Sequence, residues 1–195
     1  MKKISAIFLV LTVTFSYAVV YAQGVNEILS SELLRFHIIS SSESEEDNRI
    51  KLDVRDYISE RMTDCDISPY TQEYVMECER LANIRLLELG VEYKAKGRIE
   101  RVYIPKKSYK GISLPSGYYN AIRLVLGNGE GQNWWCVAYP SLCFSEDVNG
   151  ELSKRGTQKL IDSVPENIYE LISDDAEYRF FIVDLIGRII GKTSR

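Results

Sequence analysis

The chain predicts an α+β domain of two layers, with helices packed on a largely antiparallel sheet and an N-terminal signal segment in front. Three observations carry that prediction. An uncharged run, Ile4 to Tyr21, follows Lys2 and Lys3; two stretches of helical apolar spacing come next; and three β-rich stretches succeed one another between Tyr93 and Tyr139. Helices gathered before a run of strands give a segregated α+β arrangement, not the alternation that builds parallel sheets.

Lys2 and Lys3 form a positive n-region, and Ile4–Tyr21 an apolar h-region ending in Val20-Tyr21-Ala22. This is the pattern of a secretory signal with a cleavage position between Ala22 and Gln23. The run also borders on the ~20 residues that cross a bilayer, so an uncleaved anchor is the alternative reading of residues 1–22. Either way the body, residues 33–190, is expected outside the cytoplasm as one domain, a size that allows a real core.

Within the body, LLRFHII at Leu33–Ile39 reads as a strand buried on both faces. The serine and acid cluster Ser40–Asp47 reads as a helix start, with Ser42 or Ser44 as cap and Glu45, Glu46 and Asp47 in the first turn. Ile50, Val54, Tyr57 and Ile58 mark one face of that helix, which should reach about Met62. Ser68-Pro69 predicts the opening of a second helix, with Tyr74, Val75, Cys78, Leu81 and Ala82 on its inner face and Gly90 as its stop. Tyr93–Ile104, Gly117–Leu126 and Asn133–Tyr139 read as three strands of a meander, Gly127-Asn128-Gly129 turning the last hairpin. Pro165–Ser173 and Ala176–Ile190 read as helices, the latter apolar nearly all round.

The 24 Lys and Arg against 28 Asp and Glu leave a net charge of −4, without a basic stripe. Nothing here suggests nucleic acid, and an anionic membrane surface is an equally poor partner for the body. Four cysteines in an exported chain predict disulfides, and the spacing favours local pairs, Cys65 with Cys78 and Cys136 with Cys143. A zinc site is disfavoured, because the spacings lack the tight Cys pairs of zinc ribbons and only His37 could add a nitrogen.

No catalytic set emerges, and neither metal nor other cofactor is implied. His37, the single histidine, falls inside the first strand beside Arg35 and Ile39 and reads as structural; a Cys–His nucleophile would require a free thiol beside it. Glu43 and Asp47 could act as acid and base only if buried together. Gly127–Gly131 lacks the lysine and following helix of a phosphate loop.

The most informative segment is Gly127–Cys143, which holds both tryptophans and two of the four cysteines. On a strand, Trp134 and Trp135 point to opposite faces, so one of them reaches a second surface. Two readings stand side by side: a recognition edge built from Gln132, Asn133 and the two indoles, or a plug for the core.

Three blocks resemble the stage II sporulation protein R family of endospore-forming bacteria. They are Arg35–Ile39 through Ser42–Asp47 to Lys51 and Val54-Arg55-Asp56; Leu114–Tyr118 with Ala121-Ile122-Arg123; and Gly127–Phe144 with its Asn-Trp-Trp-Cys-Val pattern. The likeness covers about Leu33 to Phe144. This chain departs from the family pattern at Ser40-Ser41-Ser42-Glu43, where Ala-Asn-Ser-Asp is usual, and at Asn48, Tyr139 and Ser141. Cys65 and Cys78 lie outside that pattern.

The resemblance implies a secreted signal in the space between forespore and mother-cell septal membranes. Its partner would be a membrane-embedded aspartic protease that processes the sigma-E precursor, with no small-molecule substrate. Asn133, Trp134, Trp135 and Arg123 are then the expected contact surface or its support. Membrane contact would come through the receptor or an uncleaved N-terminal segment. A cell-wall hydrolase using Glu43 and Asp47, or a wall-binding module, is the alternative.

Overall fold

The computed structural model describes residues 2–62, 65, 67–109, 111–140, 142 and 154–173. In chain order the elements are α1 (Lys2–Glu32), β1 (Leu34–Ile39), α2 (Glu45–Met62), α3 (Gln72–Glu88), β2 (Ala95–Ile104), β3 (Lys107–Tyr109), β4 (Ile112–Leu114), β5 (Gly117–Leu126), β6 (Asn133–Tyr139), α4 (Lys154–Ser163) and α5 (Glu166–Ile172). The predicted helix over Ala176–Ile190 and Cys143 lie outside the described residues.

All six residues of β1 are buried, and that places it inside the sheet. A strand apolar on both faces is stable only with a layer over each. The four-stranded sheet runs β2-β5-β1-β6, with β1 parallel to β5 and antiparallel to β6, and β2 antiparallel to β5. The α+β class holds, but the expected meander does not. β1 inserts between β5 and β6, so Gly127–Gln132 is no hairpin turn; it passes over the end of β1 instead. There the Gly131 and Glu130 amides donate to the Ser40 and Ser41 carbonyls, and the Ser40 amide donates to the Gln132 carbonyl. A Cβ on Gly131 would lie 1.9 Å from the Ser42 carbonyl oxygen, which explains glycine at that crossing.

Helices cover both faces of the sheet, one more layer than the sequence pattern predicts. On one face α2 and α3 set Val54, Ile58, Val75, Cys78 and Leu86 against Phe36, Ile38, Ile122 and Leu124. On the other, Ala22, Val25 and Leu29 of α1 pack with Leu160 of α4, Ile168 of α5 and the small β3–β4 hairpin against Tyr119, Ala121 and Val137. Neither that hairpin nor α4 is predicted from the sequence.

Local chemistry explains the helix ends. The Ser44 hydroxyl accepts from the Asp47 amide at 3.0 Å, making Ser44 the cap of α2. Thr71, not Ser68, caps α3, its hydroxyl accepting from the Tyr74 amide. Ser68 instead accepts from the Thr71 amide and hydroxyl in a preceding turn. Gly90, at φ 72°, ends α3 with its amide on Leu87 and the Val91 amide on Leu86.

Cys65 and Cys78 are free thiols, which corrects the expected bridge. Cys78 is spent on packing: it lies fully buried on the inner face of α3, and burial pushes its thiol up to about 12. Cys65 packs half-buried at the margin of the same core. Cys136 is disulfide-bonded.

Candidate functional site

The register across the sheet builds one straight row of side chains on the face that α1 shares. Arg98 of β2 pairs with Arg123 of β5, Arg123 with His37 of β1, and His37 with Trp135 of β6. Asn133 lies two residues before Trp135 on the edge strand and so joins the same face.

His37 organises the row. Its ring stacks on Trp135 with centroids 3.5 Å apart and planes 16° from parallel. Its Nε2 meets the Asn133 side-chain oxygen at 2.6 Å. With that oxygen facing the ring, Nε2 is the donor and Nδ1 the bare nitrogen, which is buried and without a partner. The ring is 4% exposed. Burial lowers its pKa from 6.5 to about 4, outweighing the opposing hydrogen bond to the Asn133 oxygen, and the nearby Arg123 charge pushes the same way as burial. The imidazole is therefore neutral at physiological pH, a stacking and orienting group.

On its other flank, Arg123 Nη1 donates to Glu100 Oε1 at 2.7 Å while Arg98 Nε donates to Oε2 at 2.6 Å. Partial burial acts to raise the Glu100 carboxyl, but these two guanidinium hydrogen bonds win and hold it below the usual range. The carboxylate thus fixes two arginines on neighbouring strands. Further along β1, fully buried Arg35 donates to the Cys136 carbonyl at 2.9 Å and the Tyr109 hydroxyl at 3.0 Å. Tyr109 in turn donates to the Trp135 carbonyl at 3.3 Å, so the Trp135 backbone is braced from β3.

The sequence-predicted residues divide between the two faces. Trp134 and Trp135 do point to opposite sides, yet both are half-buried. Trp134 meets Phe36 edge-on at 6.2 Å and lies under the Arg55 guanidinium at 5.4 Å, on the α2 side. Asn133, Trp135 and Arg123 come together around His37; Trp134 does not. Arg98 and Glu100 are missed by the sequence reading, which takes His37 as structural, as it is, without showing that it gathers the others. The available signal was two polar side chains, Arg35 and His37, alternating in an otherwise apolar strand.

Beside the row, Lys51 of α2 is buried and donates to the Gln132 carbonyl at 3.2 Å, fastening the crossing loop. Asp47 accepts from the Ser42 and Tyr93 hydroxyls, each at 2.5 Å. Partial burial acts to raise its carboxyl, but those hydrogen bonds prevail and keep it low. Glu43 stands exposed. A general acid needs the opposite shift, so the Asp47 carboxylate serves the loop as an acceptor.

The family model of stage II sporulation protein R matches residues 30–149, which include every residue of the row. Stage II sporulation protein R of Bacillus subtilis (strain 168) is similar at 29% identity over 190 residues, covering 84% of each chain. No solved structure matches. The matched segment takes in the crossing loop, the Trp pair and all six strands among the described residues, and this chain belongs to the stage II sporulation protein R family.

Proposed function

We propose that this sporulation protein is an exported activating ligand. It acts between the forespore and mother-cell septal membranes, where it binds a membrane-embedded aspartic protease of the mother cell and switches on cleavage of the sigma-E precursor. The observation that carries this reading is the pre-built row Arg123–His37–Trp135 with Asn133 at its exposed edge. An indole held by a stacked imidazole and a braced backbone loses little entropy on docking, which is how rigid aromatic anchors come to dominate an interface. The arginines fixed by Glu100 add charge selectivity at the margin.

The ligand performs no bond-making step in this account. Its binding energy is spent on favouring the protease's active arrangement, so activation is limited by its differential affinity for that state. Reconstitution tests it: purified protease and precursor in vesicles should show cleavage that rises with added protein and saturates. Cleavage at the same rate without it would refute the role. Turnover of purified peptidoglycan by the protein alone would favour the wall-hydrolase reading instead.

A further inference from the structure

Helix α1 runs unbroken through the predicted cleavage position between Ala22 and Gln23, and its two parts have opposite environments. From Ile4 to Tyr17 large apolar side chains stand in the open: Ile7, Phe8, Leu9, Val10 and Leu11 are each at least 60% exposed, and Val19 packs partly against the domain. Five successive residues on a helix point in every direction around it. A protein groove would cover a stripe; only a surrounding apolar medium covers the whole circumference. The last third is instead part of the domain. Ala22, Val25, Leu29 and Leu33 form one stripe, each no more than 4% exposed, and Asn26 Nδ2 donates to the Ser116 carbonyl at 3.4 Å.

We propose that α1 is retained as a single transmembrane anchor whose outer end is built into the folded domain, so that the domain sits directly on the outer face of a lipid bilayer. Ile4–Tyr21 as helix spans ~27 Å, close to the ~30 Å hydrocarbon thickness. Its two threonines are already satisfied as lipid requires, Thr12 donating to the Leu9 carbonyl at 2.8 Å and Thr14 to Val10 at 2.9 Å. Tyr17 and Tyr21, stacked with centroids 6.5 Å apart, stand at the domain end of the run, where aromatic side chains mark the membrane–water boundary. Lys2 and Lys3 set the opposite end inside.

Cleavage after Ala22 would place a charged amine on Gln23, two residues before buried Val25 and at the start of the docked segment. It would also strip the first turn of its hydrogen-bond acceptors, at the helix end where positive charge is least favoured. Retention keeps the segment whole. It also leaves no linker between bilayer and sheet, and the anchor occupies the same sheet face as the Trp135 row.

The test uses the full chain, expressed in a bacterial host and separated into soluble, carbonate-extracted and carbonate-resistant membrane fractions, with the intact mass read in each. The expected result is the uncut chain in the resistant pellet, with its body open to added protease from the outer side. A species beginning at Gln23, or uncut chain released by carbonate, overturns the proposal. In a second arm, uncut purified chain should float with neutral phosphatidylcholine vesicles as well as with anionic ones; flotation with anionic vesicles alone would mean surface adsorption and would equally overturn it.

Discussion

Replacing His37 by Phe should remove most of the acid sensitivity between pH 6.5 and 4. The phenyl ring keeps the stack on Trp135 and gives up the contact with Asn133, whose amide is exposed and can turn to water. In the wild type the ring's pKa falls from 6.5 to about 4 on folding. The unfolded chain therefore takes up a proton below about 6.5, and the folded one only below about 4. Stability contributed by the neutral ring is complete above pH 6.5 and is lost as acid is added. At about 1.36 kcal/mol per unit, the loss is about 2 kcal/mol by pH 5 and about 3 kcal/mol by pH 4. The ring is buried, so solvent screening does not reduce these figures appreciably. Urea unfolding followed by Trp fluorescence at pH 7, 6, 5 and 4 measures it. Carboxylates such as Asp47 and Glu100, also held low, contribute equally to both proteins and cancel in the comparison. Identical pH slopes for wild type and His37→Phe would refute the buried neutral ring.

Other substitutions probe the remaining joints. Gly131→Ala puts a methyl against the Ser42 carbonyl and Ser40 hydroxyl, and should lower unfolding stability by about 2–3 kcal/mol. Leu29→Ala, at a fully buried position of the docked part of α1, should cost about 2–5 kcal/mol in the same assay, whereas a freely hanging segment would show no change. Asp47→Ala leaves the Ser42 and Tyr93 hydroxyls without their shared acceptor and should cost about 1–3 kcal/mol.

Much of this was legible in the sequence because local chemistry decides it. The inner face of α3, the Gly90 stop, the Ser44 cap and the limits of β5 and β6 follow from spacing and capping. The sheet order did not follow. Gly127-Asn128-Gly129 between two strands is a strong local hairpin signal, and it was overridden by burial of β1, which needed both neighbours. The same insertion hid the site. Asn133, Trp135 and Arg123 stand out individually, but the residue that gathers them is His37, and its neighbours are set by register between strands far apart in sequence. The Cys65–Cys78 bridge failed for a related reason: spacing cannot tell that Cys78 is a small apolar group of the core.

The central claim is that one face of the sheet is read by the protease, and a paired substitution in reconstituted precursor cleavage tests it most directly. Asn133→Arg alters the exposed edge of the His37 row, while Arg55→Glu alters the opposite face over Trp134. With both proteins shown to unfold cooperatively, the account predicts that Asn133→Arg lowers activation by about tenfold or more, as loss of an energetically dominant contact does, and that Arg55→Glu leaves it near wild type. Normal activation by Asn133→Arg together with loss in Arg55→Glu would place the contact on the other face and contradict the account.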